Sequence, residues 1–220
     1  MKILSTNISL PKKIIFNNKT LTTSIFKEPT DKVLEVKKKG LFGDGQADLK
    51  AHGGVNKAIY LYSYLHYEYW SSILKKDFSN DYGLVGENLT IDDLNEKQFF
   101  IGDELKIANV VIKITQPRIP CYKLSVKMNV KNFTQQFIDH GYLGIYAKVI
   151  KQGQIKKGDN LELIHRENDT MSIYEVSKLV FDKNSNVEQL KKAVEIKYLS
   201  EEIKARFINK LAKLGHYEVI

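Results

Sequence analysis

The residue types best suited to chemistry are concentrated in Thr115-Gln116-Pro117-Arg118-Ile119-Pro120-Cys121-Tyr122-Lys123-Leu124, which holds the chain's single cysteine. Two prolines fix φ on either side of Arg118 and push the residue before each toward extended geometry. The strand expected over 110–115 must therefore end in a stiff, non-helical bend. Such a bend can hold a thiol and a guanidinium in set positions. A thiolate is a nucleophile and a soft metal ligand, and a nearby cation lowers its pKa from about 8.5. Arg118 can act as that cation or can grip a phosphate bidentately. A lone cysteine is as readily a small buried hydrophobe, so the segment needs support from the rest of the chain.

Support comes from residues 40–58, where Gly40, Gly43, Gly45, Gly53 and Gly54 alternate with Asp44, Gln46, His52 and Lys57. Glycine permits positive φ and lets backbone N–H groups approach a ligand. A long ordered loop of this composition favours function over mere connection. Next comes Gly86-Glu87-Asn88-Leu89-Thr90, an acid and an amide entering a short strand. Gly102-Asp103 and Gly158-Asp159 read as structural turns that feed strands.

Other chemistries find less support. No Cys/His pair has zinc-like spacing, and His52, His66, His140, His165 and His216 are dispersed. No Gly-rich phosphate loop occurs between a strand and a helix. Any phosphate site must therefore be built from Gly53, Gly54, Lys57 and Arg118. Cys121, His52 and Asn88 are the residue types of a Cys-His-Asn hydrolase, but no local signature accompanies them. The net charge of +8 favours anionic ligands. The basic residues are mostly scattered lysines rather than arginines clustered with aromatics, so nucleic acid is a weak expectation.

The elements that must position these groups follow from periodicity. Strands are expected over 2–9, 13–16, 22–26 and 32–36, with turns at 17–19 and 28–31. Another spans 58–62, and Ser63 is placed to cap a helix over 64–76 whose apolar face carries Leu65, Tyr69, Ile73 and Trp70. A helix over 132–140 stops at Gly141. Strands over 142–150 and 160–165 and a polar linker over 166–170 follow. From Met171 the period is helical: capping boxes at Ser172-Ile173-Tyr174-Glu175 and Ser185-Asn186-Val187-Glu188, and a third start at Ser200, predict three short helices. The expected organisation is residues 1–166 as one unit and 171–220 as a second.

With 220 residues, 43% hydrophobic and 27% charged, the chain is long enough for one core and perhaps a small second unit. One cysteine suits a reducing cytoplasm. No signal peptide follows Met1, and no apolar run approaches the ~18 residues of a membrane span.

Taken in order, Gly40-Leu41, Gly43-Asp44, Gln46-Ala47-Asp48, His52-Gly53-Gly54 and Lys57-Ala58, then Gly86-Glu87-Asn88-Leu89-Thr90, Gly102-Asp103, and Gln116-Pro117-Arg118 with Pro120-Cys121-Tyr122-Lys123-Leu124 resemble MOSC-domain proteins of the YiiM type. Asn56 departs from the acid often found there. The resemblance implies a mainly β fold with some α: a closed MOSC-type β-barrel plus a small C-terminal three-helix domain. It implies binding of molybdenum cofactor, with Cys121 as the thiolate ligand to molybdenum. The activity implied is reduction of N-hydroxylated or N-oxygenated compounds such as 6-hydroxylaminopurine, as detoxification. Electrons would come from an unidentified donor protein, and a homodimer is compatible with the pattern. His52, Asp44 and Glu87 are the proton donors or orienters, unranked. Lys57 and Arg118 would neutralise phosphate or pterin, Gln116 and Asn88 would bond the pterin edges, and Gly53 and Gly54 would bring backbone close. A carrier of cofactor or sulfur without turnover and a basic nucleic-acid-binding barrel are the alternatives.

Overall fold

The computed structural model describes residues 1–47 and 53–216. The chain opens with β1 (Ile3–Ile8), the hairpin of β2 (Lys12–Phe16) and β3 (Lys19–Thr23), then β4 (Glu28–Thr30), β5 (Leu34–Lys37) and β6 (Gly40–Leu41). A 3-10 turn over Val55–Lys57 leads into β7 (Ile59–Ser63), α1 (Leu65–Leu74), β8 (Leu89–Ile91), β9 (Glu104–Ile107) and β10 (Val110–Pro117). Then come α2 (Lys123–Met128), α3 (Phe133–His140), β11 (Ile145–Lys151), β12 (Gly153–Ile155) and β13 (Leu161–His165). The helices α4 (Ile173–Phe181), α5 (Val187–Glu195) and α6 (Glu201–Lys213) close the described chain.

Eight strands make one sheet in the order β13-β9-β10-β11-β7-β8-β1-β4; β12-β5-β6 and β2-β3 form two smaller sheets. Every neighbouring pair in the large sheet is antiparallel except β7 and β8. A parallel pair needs a crossover, and α1 lies in it. Among the described residues, no helix is long and apolar enough to cross a membrane.

The expected closed barrel with a small helical appendage is corrected here. The terminal strands β13 and β4 do not pair with each other, so the sheet has two ends. It curls far enough for Ile3 N–H to donate to Asp159 O at 3.0 Å and Gly158 N–H to Ile3 O at 2.8 Å. Those contacts give one isolated bridge, Lys2 with Asn160, not a ladder. The fold is mixed α/β, with six α-helices among the described residues, three of them before β11. The last three helices do not keep a core to themselves. Val176, Leu190 and Phe207 join one continuous apolar cluster with Ile59, Ile112 and Ile145 of the sheet. Short helices bury too little apolar surface alone, so their stability comes from this shared packing.

The helix starts show how local signals fared. Ser172 and Glu175 form the complete reciprocal capping box. The cap of α5 is Asn186, whose side chain accepts from Glu188 and Gln189, rather than Ser185. Ser63 does not cap α1: its hydroxyl accepts from Leu94 N–H at 3.1 Å. The buried face of α1 is Tyr67 and Trp70, while Leu65, Tyr69 and Ile73 are exposed. An aromatic neighbourhood explains the rotation. Trp70 Nε1 donates to Tyr62 Oη at 2.9 Å, and its ring meets Phe133 and Phe137.

His140 closes this neighbourhood by stacking on Tyr69 at 3.9 Å. Burial, with His66 and Lys178 adding repulsion, pulls its pKa from the ordinary 6.5 to about 4. A group whose pKa is depressed on folding gives stability that is present above its unfolded value and lost as pH falls through the folded one. The expected outcome is a urea midpoint that declines from pH 6.5 towards 4, with a shallower decline in His140→Gln. Equal declines in the two proteins would contradict it.

Candidate functional site

The bend after β10 builds the site. A register shift against β11 falls between Ile114 and Gln116. It turns Thr115 aside, and its hydroxyl sits 2.6 Å from Asn56 O and 3.0 Å from Tyr146 O. The strand then runs to Pro117, past the expected end at Thr115. Arg118 N–H donates to Gly144 O at 3.3 Å, and Cys121 O accepts from Leu124 N–H at 2.9 Å and from the Thr134 hydroxyl at 3.1 Å. Backbone bonds thus hold the bend on both sides of the cysteine. The Cys121 thiol is half-buried and free.

Arg118 is buried beneath this bend. Its Nη1 donates to Val85 O at 2.6 Å and lies 3.4 Å from Tyr60 Oη, with the guanidinium 5.0 Å over the Tyr60 ring. Burial raises the Tyr60 pKa, against the opposing pull of Arg118, so the phenol stays protonated. It donates to Leu143 O at 2.8 Å.

Cys121 and Arg118 line a cleft together with Lys27, Asp44, Lys57 and Asn88. Asp44 organises one wall. Its Oδ1 accepts from Ser9 N–H at 2.8 Å and is paired with Lys27; its Oδ2 accepts from Asn88 Nδ2 at 2.9 Å. Asn88 Oδ1 in turn accepts from Tyr60 N–H at 3.1 Å, which ties β7 to the entry of β8. Burial pulls the Lys27 pKa down, and the Asp44 carboxylate acts against that fall. On the other side Lys57, buried in the 3-10 turn, is ion-paired with Glu202 of α6. Gln46 fastens the loop: its Oε1 accepts from Gly54 N–H at 2.8 Å and its Nε2 reaches Lys57 O at 3.3 Å. Gly54 has φ +97°, a value that favours glycine.

The remaining expected residues sit elsewhere. Glu87 is fully buried behind the cleft wall. Its carboxylate accepts from Thr90 Oγ1 at 2.8 Å and from the N–H groups of Gly83 and Val85 at 3.1 Å, and it is bonded to Tyr67 Oη. Gln116 is buried, with Nε2 3.3 Å from Pro117 O and Oε1 without a partner among the described residues. Gly53 and Gly54 flank the cleft without lining it. His52 lies outside the described residues.

The MOSC domain profile matches residues 48–162. The chain is 33% identical over 212 residues to the uncharacterized protein YflK of Bacillus subtilis, covering 96% of this chain and 95% of that one. It is 34% identical over 152 residues to protein YiiM of Escherichia coli, 67% of this chain and 66% of that one. This chain belongs to the MOSC domain family. Its fold superposes on the crystal structure of YiiM from Geobacillus stearothermophilus with TM-score 0.80 and 27% identity, over 96% of this chain and 98% of that one. A Gibberella moniliformis protein named reductase matches at 28% identity over 80% of this chain and 32% of its own length.

Within this MOSC cleft, sequence reasoning missed several groups. Lys27 and Ser24 come from the segment after β3, and Tyr146 from β11. None had a sequence signal of its own, because long-range strand pairing brings them to the cleft. Ser24 is the most telling. It lines the cleft, and its buried hydroxyl has no hydrogen-bond partner among the described residues. A buried polar group left unmade costs about 1–3 kcal/mol. The wall therefore fits a further polar ligand.

Proposed function

We propose that this MOSC protein binds molybdenum cofactor in the Cys121 cleft and reduces N-hydroxylated or N-oxygenated compounds, hydroxylaminopurines among them. The observation that carries the reading is the free thiol of Cys121 in one cleft with Lys27, Lys57 and Arg118, beside an unpartnered Ser24 hydroxyl. A soft thiolate suits a metal already bound by sulfur. Cationic walls suit a cofactor phosphate. The relative named reductase supports the reaction class.

The two-electron redox chemistry is what the cofactor supplies when bound. The chain's own residues bind, orient and buffer charge. Cys121 presents its sulfur from a bend fixed by backbone bonds. Lys57 and Arg118 face the anionic part, each already oriented by protein partners. Asn88 and Asp44 keep Lys27 in place and set the shape of the opposite wall. Ser24 offers a hydroxyl. The single cysteine supports residence in a reducing cytoplasm.

The test is direct. Protein purified from a cofactor-making host should contain molybdenum and pterin in equal amounts and should reduce 6-hydroxylaminopurine with reduced viologen as donor. Metal-free protein from such a host would overturn the binding; metal without turnover would leave a carrier. Lys57→Ala is expected to weaken cofactor retention about tenfold, since one charge-assisted hydrogen bond is worth about 1.5–3 kcal/mol. The check is titration of apo-protein with cofactor, and unchanged affinity would move the anionic end elsewhere.

A further inference from the structure

The first 27 residues contain five lysines and no acid. Within them lies the β2–β3 hairpin, whose strands pair only with each other and stay largely exposed. An isolated two-stranded hairpin is marginal in water, so it needs a reason to stand there. Its position supplies one. Phe16 at its tip lies 6.4 Å from Tyr122, the neighbour of Cys121, and Lys123 Nζ donates to Thr22 O at 3.2 Å. The strand that leaves the hairpin becomes the cleft wall at Thr23 and Ser24. The hairpin thus stands beside the mouth of the site. It presents Ile15, 82% exposed, on one face with Lys13, and Lys19 opposite Phe16 at the tip; neither lysine has an acidic partner among the described residues.

The reaction needs something at that mouth. Reducing R–NHOH to R–NH2 breaks the N–O bond, consumes two electrons and two protons, and releases water. The chain has one cysteine, too few for an iron–sulfur cluster of its own. We propose that the β2–β3 hairpin is the docking surface for a small acidic one-electron carrier protein. The carrier visits twice per turnover and passes electrons toward the Cys121 bend. An exposed apolar side chain beside Lys13 gives packing at the contact, and Lys13 and Lys19 together give electrostatic steering on approach. The proposal rests on the reductase reading.

The probe is flavodoxin, with the cofactor-loaded protein and the double variant Lys13→Glu/Lys19→Glu. Lys191→Glu/Lys192→Glu, exposed on α5, carries the same change of charge on a helix that lines no part of the cleft. At low salt the hairpin variant is expected to lose about tenfold in flavodoxin-supported rate and in flavodoxin affinity by calorimetry, and the α5 variant to keep both. The loss should shrink as salt rises. Rates with reduced viologen, which needs no docking, should not change. Unchanged flavodoxin affinity in the hairpin variant would overturn the proposal, as would an equal loss with both donors. A wild-type protein inactive with viologen would instead overturn the reductase reading, and the proposal with it.

Discussion

Cys121→Ser is expected to abolish reduction while leaving the fold intact. The thiol makes no hydrogen bond among the described residues, so the change removes a ligand without removing a structural contact. The bend survives because its anchors are backbone groups: Arg118 N–H on Gly144 O, Leu124 N–H on Cys121 O, and the Thr134 hydroxyl on Cys121 O. A serine hydroxyl is a hard, weakly acidic ligand and does not replace a thiolate on a soft metal. Activity should fall below detection, with a thermal midpoint within about 2 °C of wild type, the shift for about 0.5–1 kcal/mol in a chain of this size. Full activity in the variant would remove Cys121 from the metal. Retained cofactor alone would not, because the cationic wall remains.

The second large effect is on stability. Glu87→Ala strips an acceptor from Tyr67 Oη, Thr90 Oγ1 and the N–H groups of Gly83 and Val85 at one stroke. Hydrogen bonds to charged groups contribute about 1.5–3 kcal/mol each, and donors left unpaired in the interior cost more than bonds never made. A total of at least about 3 kcal/mol lowers the thermal midpoint by about 6–12 °C, at about 2–4 °C per kcal/mol. Glu87→Gln keeps the shape and one acceptor oxygen and should lose less. Scanning calorimetry checks both, and a midpoint unchanged by alanine would mean that the carboxylate does not hold the 83–87 loop. Assays well below the midpoint separate this role from any part in proton handling.

Local chemistry was legible in the sequence, and long-range pairing was not. The Ser172-Glu175 box was readable because both partners lie within one turn. The Pro117–Cys121 bend was readable because proline acts on its immediate neighbours. Glu28-Pro29-Thr30 read as a turn and is β4, a strand only because β1 pairs with it. The helix α2 starts without a side-chain cap, so nothing in Cys121-Tyr122-Lys123 announced it. The burial of Lys27 and the choice of Glu202 as partner for Lys57 are decided by elements far apart in the chain. Closure of the barrel was inferred from resemblance, and strand order alone could test it.

Lys57 and its partner Glu202 are 145 positions apart. A ribosome adding about 5–20 residues per second delivers the carboxylate about 7–30 s after the ammonium. Until α6 has emerged and docked, Lys57 stands without the Glu202 carboxylate. The contact that ties the 3-10 turn to the last helix is therefore made only late in synthesis.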